Sequence, residues 1–446
     1  MPPAGRGVCR RYAARVPHAD PAWAPLLPAE PVELPEGFLW GVASSAFQAE
    51  GGDVPNDWVD AARAGRVPAN PGNGFWQRAE ADFAQVASLG IRHYRMSIEW
   101  SRVEPERGRF DSAALDRYRA LCDAAREAGL TPWVNLFHFT HPRWFAARGG
   151  FLRRENHADF LRYVETAARH LAPHARHFHV QNESMVYVLS SYLLGQNPPF
   201  VSNREAAFDM TRHVLALQAD GYRAIKSVDP ALVVASIEVY LDPRPRDASD
   251  AAQRAAAERF DAWYHGTLLE ALATGWIRLP GREPEEIPHL RHALDVYGFN
   301  YYSSVAFGPD GPGSFAERPD APLDTMGRYV FPRGLEEGLL RVANALPGVP
   351  LVVSENGCPA TDETFRIRYV AAHLAALARA KARGADVRGY FHWTAVDNYE
   401  WQHGFSDARF GLIAFDPATL RRTPKASAHW LAGVIRAGRI DPAQIP

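Results

Sequence analysis

The chain has 446 residues, 47% of them hydrophobic and 22% charged, which excludes a natively unfolded protein and leaves room for one large α/β domain or two to three ordinary ones. Lys and Arg number 49 against 51 Asp and Glu, and the net charge of −2 supplies no overall field to attract nucleic acid or a membrane surface. Three cysteines, Cys9, Cys122 and Cys358, are too few for a disulfide framework and show no metal-ligand pairing, so they suit a reducing compartment and a cytoplasmic location.

Residues 1–34 are rich in Pro, Ala and Arg and read as an extension, flexible or wrapped on the surface, ahead of a single domain over 35–446. Arg10–Arg11 resembles a twin-arginine export pair, but no uninterrupted apolar segment comes after it to act as a signal core. No stretch of about 20 apolar residues occurs elsewhere.

From residue 35 the chain alternates short apolar segments with longer helical patterns. Eight strand candidates run in order: 38–44, 91–98, 130–137, 177–182, 231–238, 295–302, 350–355 and 387–394. Their density of Val, Ile, Phe and Tyr suits a parallel sheet covered on both faces. Helical patterns with three-and-four spacing lie at 75–89, 112–128, 156–172, 204–228, 248–274, 334–346, 363–383 and 424–436. Eight strand–helix units are what a closed (β/α)₈ TIM barrel requires. The competing architecture, an open doubly wound sheet, lacks its glycine-rich fingerprint after the first strand.

In such a barrel the reactive groups come from the C-terminal ends of the strands. That rule selects Arg95 and Glu99 from strand 2, His138 from strand 3, and Asn182–Glu183 from strand 4. It adds Asn300–Tyr301–Tyr302, Glu355–Asn356, and the run from Trp393 to Glu400–Trp401 from strands 6, 7 and 8. Two carboxylates, Glu183 and Glu355, each close an otherwise apolar strand. A pair of opposed carboxyl groups is the equipment for cleaving an acetal: one donates a proton to the departing oxygen, and the other attacks or activates water. The high aromatic content, with 12 Trp, 16 Tyr and 23 Phe, mostly fills a large core, but indoles beside polar groups also suit the flat C–H faces of sugars.

With those residues in place the sequence resembles glycoside hydrolase family 1. The blocks that carry the likeness are FLWGVASSAFQAEGG (38–52), YRMSIEWSRVEPERGRFD (94–111), VNLFHFTHPRW (134–144), HVQNES (179–184), DVYGFNYY (295–302), VVSENG (352–357) and GYFHWTAVDNYEWQHGF (389–405). The resemblance implies a retaining, exo-acting β-glycosidase, above all a β-glucosidase, acting on β-glucosides or small β-linked oligosaccharides without a cofactor. It implies Glu183 as acid/base and Glu355 as nucleophile, with Asn182 on the sugar 2-hydroxyl and Arg95 and Tyr302 beside the nucleophile. It also implies Gln48, His138, Glu400 and Trp401 around the terminal sugar, with Trp393 as its stacking floor.

The chain departs from the family pattern at three places near the site, one of them the segment GFSDARFGL (404–412), which is one residue longer than the common version around Phe410 on the leaving-group side. Ser184 stands where the family usually has Pro after the acid/base, and Phe139 where it usually has Trp. Glu400 argues against action on 6-phosphorylated sugars, because a carboxylate repels a phosphate. His170, His174, His177 and His179 crowd strand 4 but lack partner ligands and read as hydrogen-bonded or surface histidines. The alternatives are a β-galactosidase, β-fucosidase or transglycosylase with the same catalytic pair, or a non-catalytic carbohydrate-binding barrel. The oligomeric state is not readable from the sequence.

Overall fold

A computed structural model describes residues 20–446. Eight parallel strands close into a barrel: β1 (Leu39–Ala43), β2 (His93–Ser97), β3 (Thr131–Asn135), β4 (His177–His179), β5 (Val233–Val239), β6 (Val296–Asn300), β7 (Leu351–Asn356) and β8 (Val387–Trp393). Each pairs with its sequence neighbours, and β8 closes on β1. The covering helices are α1 (Phe75–Ser88), α2 (Ser112–Glu127), α3 (His157–Leu171), α4 (Arg204–Val228), α5 (Ala251–Asp261), α6 (Thr267–Thr274), α7 (Pro332–Ala345), α8 (Glu363–Ala382) and α9 (Ala426–Ala437).

The alternation of each strand sorts its side chains between two cores. Tyr94 of β2 packs edge-on against Phe83 of α1, with ring centroids 4.9 Å apart, while its neighbour Arg95 turns into the barrel and reaches the β7 residue Glu355. Within the barrel, Trp133, Ala235, Val352 and Phe391 form one layer, with Trp133 stacked on His177 at 4.2 Å. Each large apolar side chain buried in this way stabilises the fold by about 1.5–3 kcal/mol. The flanking strands β5 and β7 leave no room at Gly298, where a Cβ would lie 2.2 Å from the Ser236 carbonyl oxygen and 2.8 Å from Ser354 Oγ.

Three features differ from the sequence reading. The fourth strand ends at His179, so Asn182 and Glu183 stand beyond it; their amides donate instead to Phe137 O and Ile237 O, both at 2.8 Å. The pattern over 248–274 is not one helix, since a π-helical turn at Ala262–Gly266 separates α5 from α6. Short helices at Ala46–Glu50 and Asp57–Arg63 fill the loop after β1, where periodicity gave no signal.

Residues 20–34 lie against the barrel. Val32–Glu33 pairs antiparallel with Arg439–Ile440, and the buried Trp23 meets Phe365 of α8 edge-on at 5.1 Å. Arg10–Arg11 and Cys9 fall outside the described residues. Among the described residues no helix is long and apolar enough to cross a membrane.

Candidate active site

Glu355 is the penultimate residue of β7 and is buried together with Arg95 of β2. The Arg95 guanidinium forms an ion pair with Glu355 Oε1, and the Tyr302 hydroxyl donates to Oε2, so a full positive charge and a hydroxyl both favour the carboxylate. Burial, and then the Glu355 charge, push the Tyr302 phenol well above its ordinary range, which keeps it a donor. Arg95 also donates from Nη1 to Asn182 Oδ1 at 3.1 Å, linking β2 to the segment that carries Glu183.

Glu183 has the opposite surroundings. Among the described residues its carboxyl group has one hydrogen-bonded partner, the amide of Asn300, whose Nδ2 donates to Oε1 at 2.7 Å; Asn300 is itself fixed through its Oδ1 by the Ser354 hydroxyl at 2.7 Å. Burial first, and then the neighbouring Glu355 anion, raise the Glu183 pKa well above the ordinary carboxylate range; the Asn300 bond and Arg95 oppose this without cancelling it. Glu183 is therefore the proton-holding carboxyl group, while a cation and a hydroxyl donor converge on Glu355. Glu183 adopts φ 45° and opens the short helix Ser184–Val188. Such a left-handed non-glycine residue costs about 1–3 kcal/mol and persists only where its surroundings hold it.

The other predicted residues gather around this pair. Gln48 is fully buried; its Nε2 donates to Tyr399 O at 2.7 Å, while its Oε1 has no partner among the described residues and is left as an acceptor. His138 lies near Trp393 and Trp401, its ring centroid 6.0 Å from each. Burial and the charge of Arg95 hold its imidazole well below the usual pKa, so it is neutral. Glu400 is pushed up to about 7 by burial, Arg328 opposing and the Glu355 charge adding to the rise. Phe139, at φ 70°, packs on Trp401 at 5.2 Å, and its carbonyl accepts the Trp58 indole N–H at 3.2 Å, which ties the residue after His138 to the short helix Asp57–Arg63. Glu99 stands apart from the pair: it caps the turn Trp100–Val103 and accepts from Ser101 Oγ at 2.6 Å and Thr140 Oγ1 at 2.9 Å.

Three residues that sequence reasoning gave no role complete the arrangement. Asn300 was visible as a strand-end residue, and its contact with Glu183 shows only in the fold. Glu238 of β5 lies beside Ser184, with no motif to mark it. Arg328, from the loop between β6 and α7, sits 5.4 Å over the Tyr302 ring and 5.5 Å over the Phe410 ring, anchored through Nε to Asp324 at 2.8 Å. Among the described residues no group of three or more His, Cys, Asp or Glu side chains is placed to hold a metal ion.

A buried acid and a buried carboxylate of opposite character, at the C-terminal mouth of a (β/α)₈ barrel and ringed by indoles and polar groups, define a glycosidase-like site. The model of glycosyl hydrolase family 1 matches residues 31–439, and the chain belongs to that family. Beta-glucosidase A of Thermotoga maritima is 28% identical over 92% of this chain and 99% of its own length. A bifunctional beta-D-glucosidase/beta-D-fucosidase of Bifidobacterium breve is 30% identical over 89% of this chain and 97% of its own. The solved beta-glycosidase of Pyrococcus horikoshii superposes with a TM-score of 0.84 at 33% identity, covering 93% of this chain and 97% of that one. The protein is a glycoside hydrolase.

Proposed function

We propose that the protein is an exo-acting retaining β-glucosidase that removes terminal, non-reducing β-D-glucosyl residues from small β-glucosides. The observation that carries the reading is the contrast between the two buried carboxyl groups: Arg95 and Tyr302 both serve Glu355, and among the described residues an amide alone serves Glu183. Glu183 donates its proton to the glycosidic oxygen as the Glu355 carboxylate attacks the anomeric carbon, and the leaving group departs from a covalent glycosyl-enzyme. Glu183, now ionised, takes a proton from the incoming water, which attacks the same carbon and releases Glu355, so two inversions retain the configuration. Proton transfer of this kind contributes about 10²–10⁴-fold.

Gln48, His138, Glu400 and Trp401 hold the outer hydroxyls and close the pocket at one end, which supports removal of one terminal sugar, with Trp393 beneath its apolar face. Asn182, held by Arg95, is oriented for the 2-hydroxyl. The presence of a relative named for both glucosidase and fucosidase activity favours tolerance at the outer hydroxyls, with galactosides and fucosides as poorer substrates. The catalytic unit is residues 35–446, with 20–34 packed onto it. A cytoplasmic location accords with the free, buried thiols of Cys122 and Cys358.

Azide rescue separates the two roles. Glu355→Ala leaves a cavity on the face from which the nucleophile acted, and azide entering there gives an α-glucosyl azide by one inversion. Glu183→Ala still forms the glycosyl-enzyme from an activated aryl glucoside, and azide then gives the β product. The reverse pairing of products overturns the assignment of acid and nucleophile.

A further inference from the structure

Ser184 and Glu238 stand out because a polar pair occupies the turn that carries Glu183. Glu183 cannot cap its own helix, since its side chain reaches Asn300 and no side-chain cap is formed there. Glu238 of β5 supplies what Glu183 withholds. Its Oε1 accepts the Ser184 hydroxyl, and its Oε2 faces the Met185 amide at 3.4 Å. The preceding β5 residue, Ile237, accepts the Glu183 amide at 2.8 Å, so one strand holds the backbone of Glu183 and the turn just after it.

We propose that Glu238 is a positioning residue that, through Ser184, sets both the orientation and the proton affinity of Glu183 for leaving-group protonation. This rests on reading Glu183 as the acid. Glu238 is buried, and among the described residues no salt bridge includes it. The titratable groups around it are Glu183, Tyr264 of the π-helical turn and Tyr297 of β6, none of them a cation. Around Glu183 stand Glu355, Arg95, Glu238, Tyr264 and Tyr302, and the two carboxylates both disfavour its ionisation. Burial raises Glu238 to about 7, with the Ser184 and Met185 bonds opposing the shift. As Glu238 ionises it makes Glu183 harder to deprotonate, which extends the protonated, active form of Glu183 toward higher pH.

The test compares kcat/KM on octyl β-glucoside, whose leaving group needs a proton, with kcat/KM on 2,4-dinitrophenyl β-glucoside, whose leaving group does not. In Glu238→Leu the octyl-to-dinitrophenyl ratio should fall about tenfold, the worth of a lost hydrogen bond to a charged group. In Glu238→Gln, which keeps an acceptor for Ser184 but no charge, the plateau ratio should stay near that of the native enzyme. The basic limb for the octyl substrate should instead move to lower pH. Ser184→Ala, a milder change that keeps the fold testable if Glu238→Leu does not accumulate, should lower the ratio in the same direction. An unchanged ratio in Ser184→Ala together with an unmoved basic limb in Glu238→Gln overturns the proposal, as does an equal loss on both substrates. Glu183→Gln is the control. If it lowers both substrates equally, Glu183 is not the acid and the proposal falls with that reading; if it abolishes the ratio while the Ser184 and Glu238 variants do not, the proposal alone fails.

Discussion

On the proposed reading, in which Glu400 accepts a sugar hydroxyl, a single neighbouring charge governs the strength of that contact. Burial drives its pKa up to about 7 and the Glu355 anion adds to the rise, so the Arg328 charge is what favours its ionised form. An ionised carboxylate accepts hydroxyl hydrogen bonds more strongly than a neutral acid. In Arg328→Met the opposing influence disappears, the Glu400 pKa rises, and the neutral acid persists to higher pH. KM for an aryl β-glucoside near neutral pH should then increase about fivefold, the difference between hydrogen bonds to charged and to neutral groups, with kcat affected less. The pH at which KM stops falling should move upward, and a KM unchanged over the whole range would show that Arg328 does not act on Glu400. The Arg95–Glu355 pair is different in kind because both side chains are buried. Removing Arg95 leaves an uncompensated buried anion, and Arg95→Met should destabilise the fold by about 3–5 kcal/mol in urea unfolding. Glu183 and Glu355 were legible in the sequence because a lone carboxylate after an apolar run is conspicuous. Arg328 was not, since it sits in a loop whose path only the folded chain defines.

The eight strands could be read because both faces of each are covered, which makes runs such as VVASIEV and LVVSEN dense in Val, Leu and Ile, with their few polar residues toward the C-terminal end. The π-helical turn at Ala262–Gly266 escaped because one extra residue per turn leaves the composition unchanged while rotating the apolar face of α6 relative to that of α5. The short helices after β1 escaped because five or seven residues are too few to display a period. Residues 20–34 carried no periodic signal either, and what holds them is contact with elements distant in sequence. Trp23, 4% exposed and edge-on against Phe365 on α8, is one such contact. Trp23→Ala should cost about 3–5 kcal/mol, the range for deleting a buried aromatic side chain. Because the site lies at the mouth of the barrel and is built from other elements, kcat/KM at a temperature where the variant stays folded should match the native enzyme. A fall in kcat/KM in that folded variant would show that the strap acts on the pocket.

Across the molecule, burial moves acids and bases in opposite directions, and the balance fixes how stability responds to pH. Among the described residues, nine histidines have their pKa lowered: His93, His138, His157, His177, His179, His213, His265, His373 and His392. Burial is the leading cause in each, and five of these rings, His93, His177, His213, His373 and His392, sit at about 4 or about 3. In the unfolded chain these rings take up protons near pH 6.5 while the folded protein keeps them neutral, so their contribution is present above the unfolded value and is lost as the pH falls toward the folded one. Five glutamates act the other way: Glu50, Glu99, Glu183, Glu238 and Glu400 have raised pKa values, three of them to about 7, and their contribution is lost as pH rises through that value. The histidines outnumber the glutamates, so between about pH 4.5 and 6.5 the unfolded state binds more protons and the free energy of unfolding should rise with pH, each net proton contributing about 1.4 kcal/mol per pH unit. Above about pH 6.5 the histidines have finished titrating, the raised glutamates act alone, and the curve should bend downward. Urea unfolding measured across this interval tests the balance directly, since a free energy that declines steadily from the acid side would mean that the buried carboxyl groups, not the buried imidazoles, dominate proton uptake.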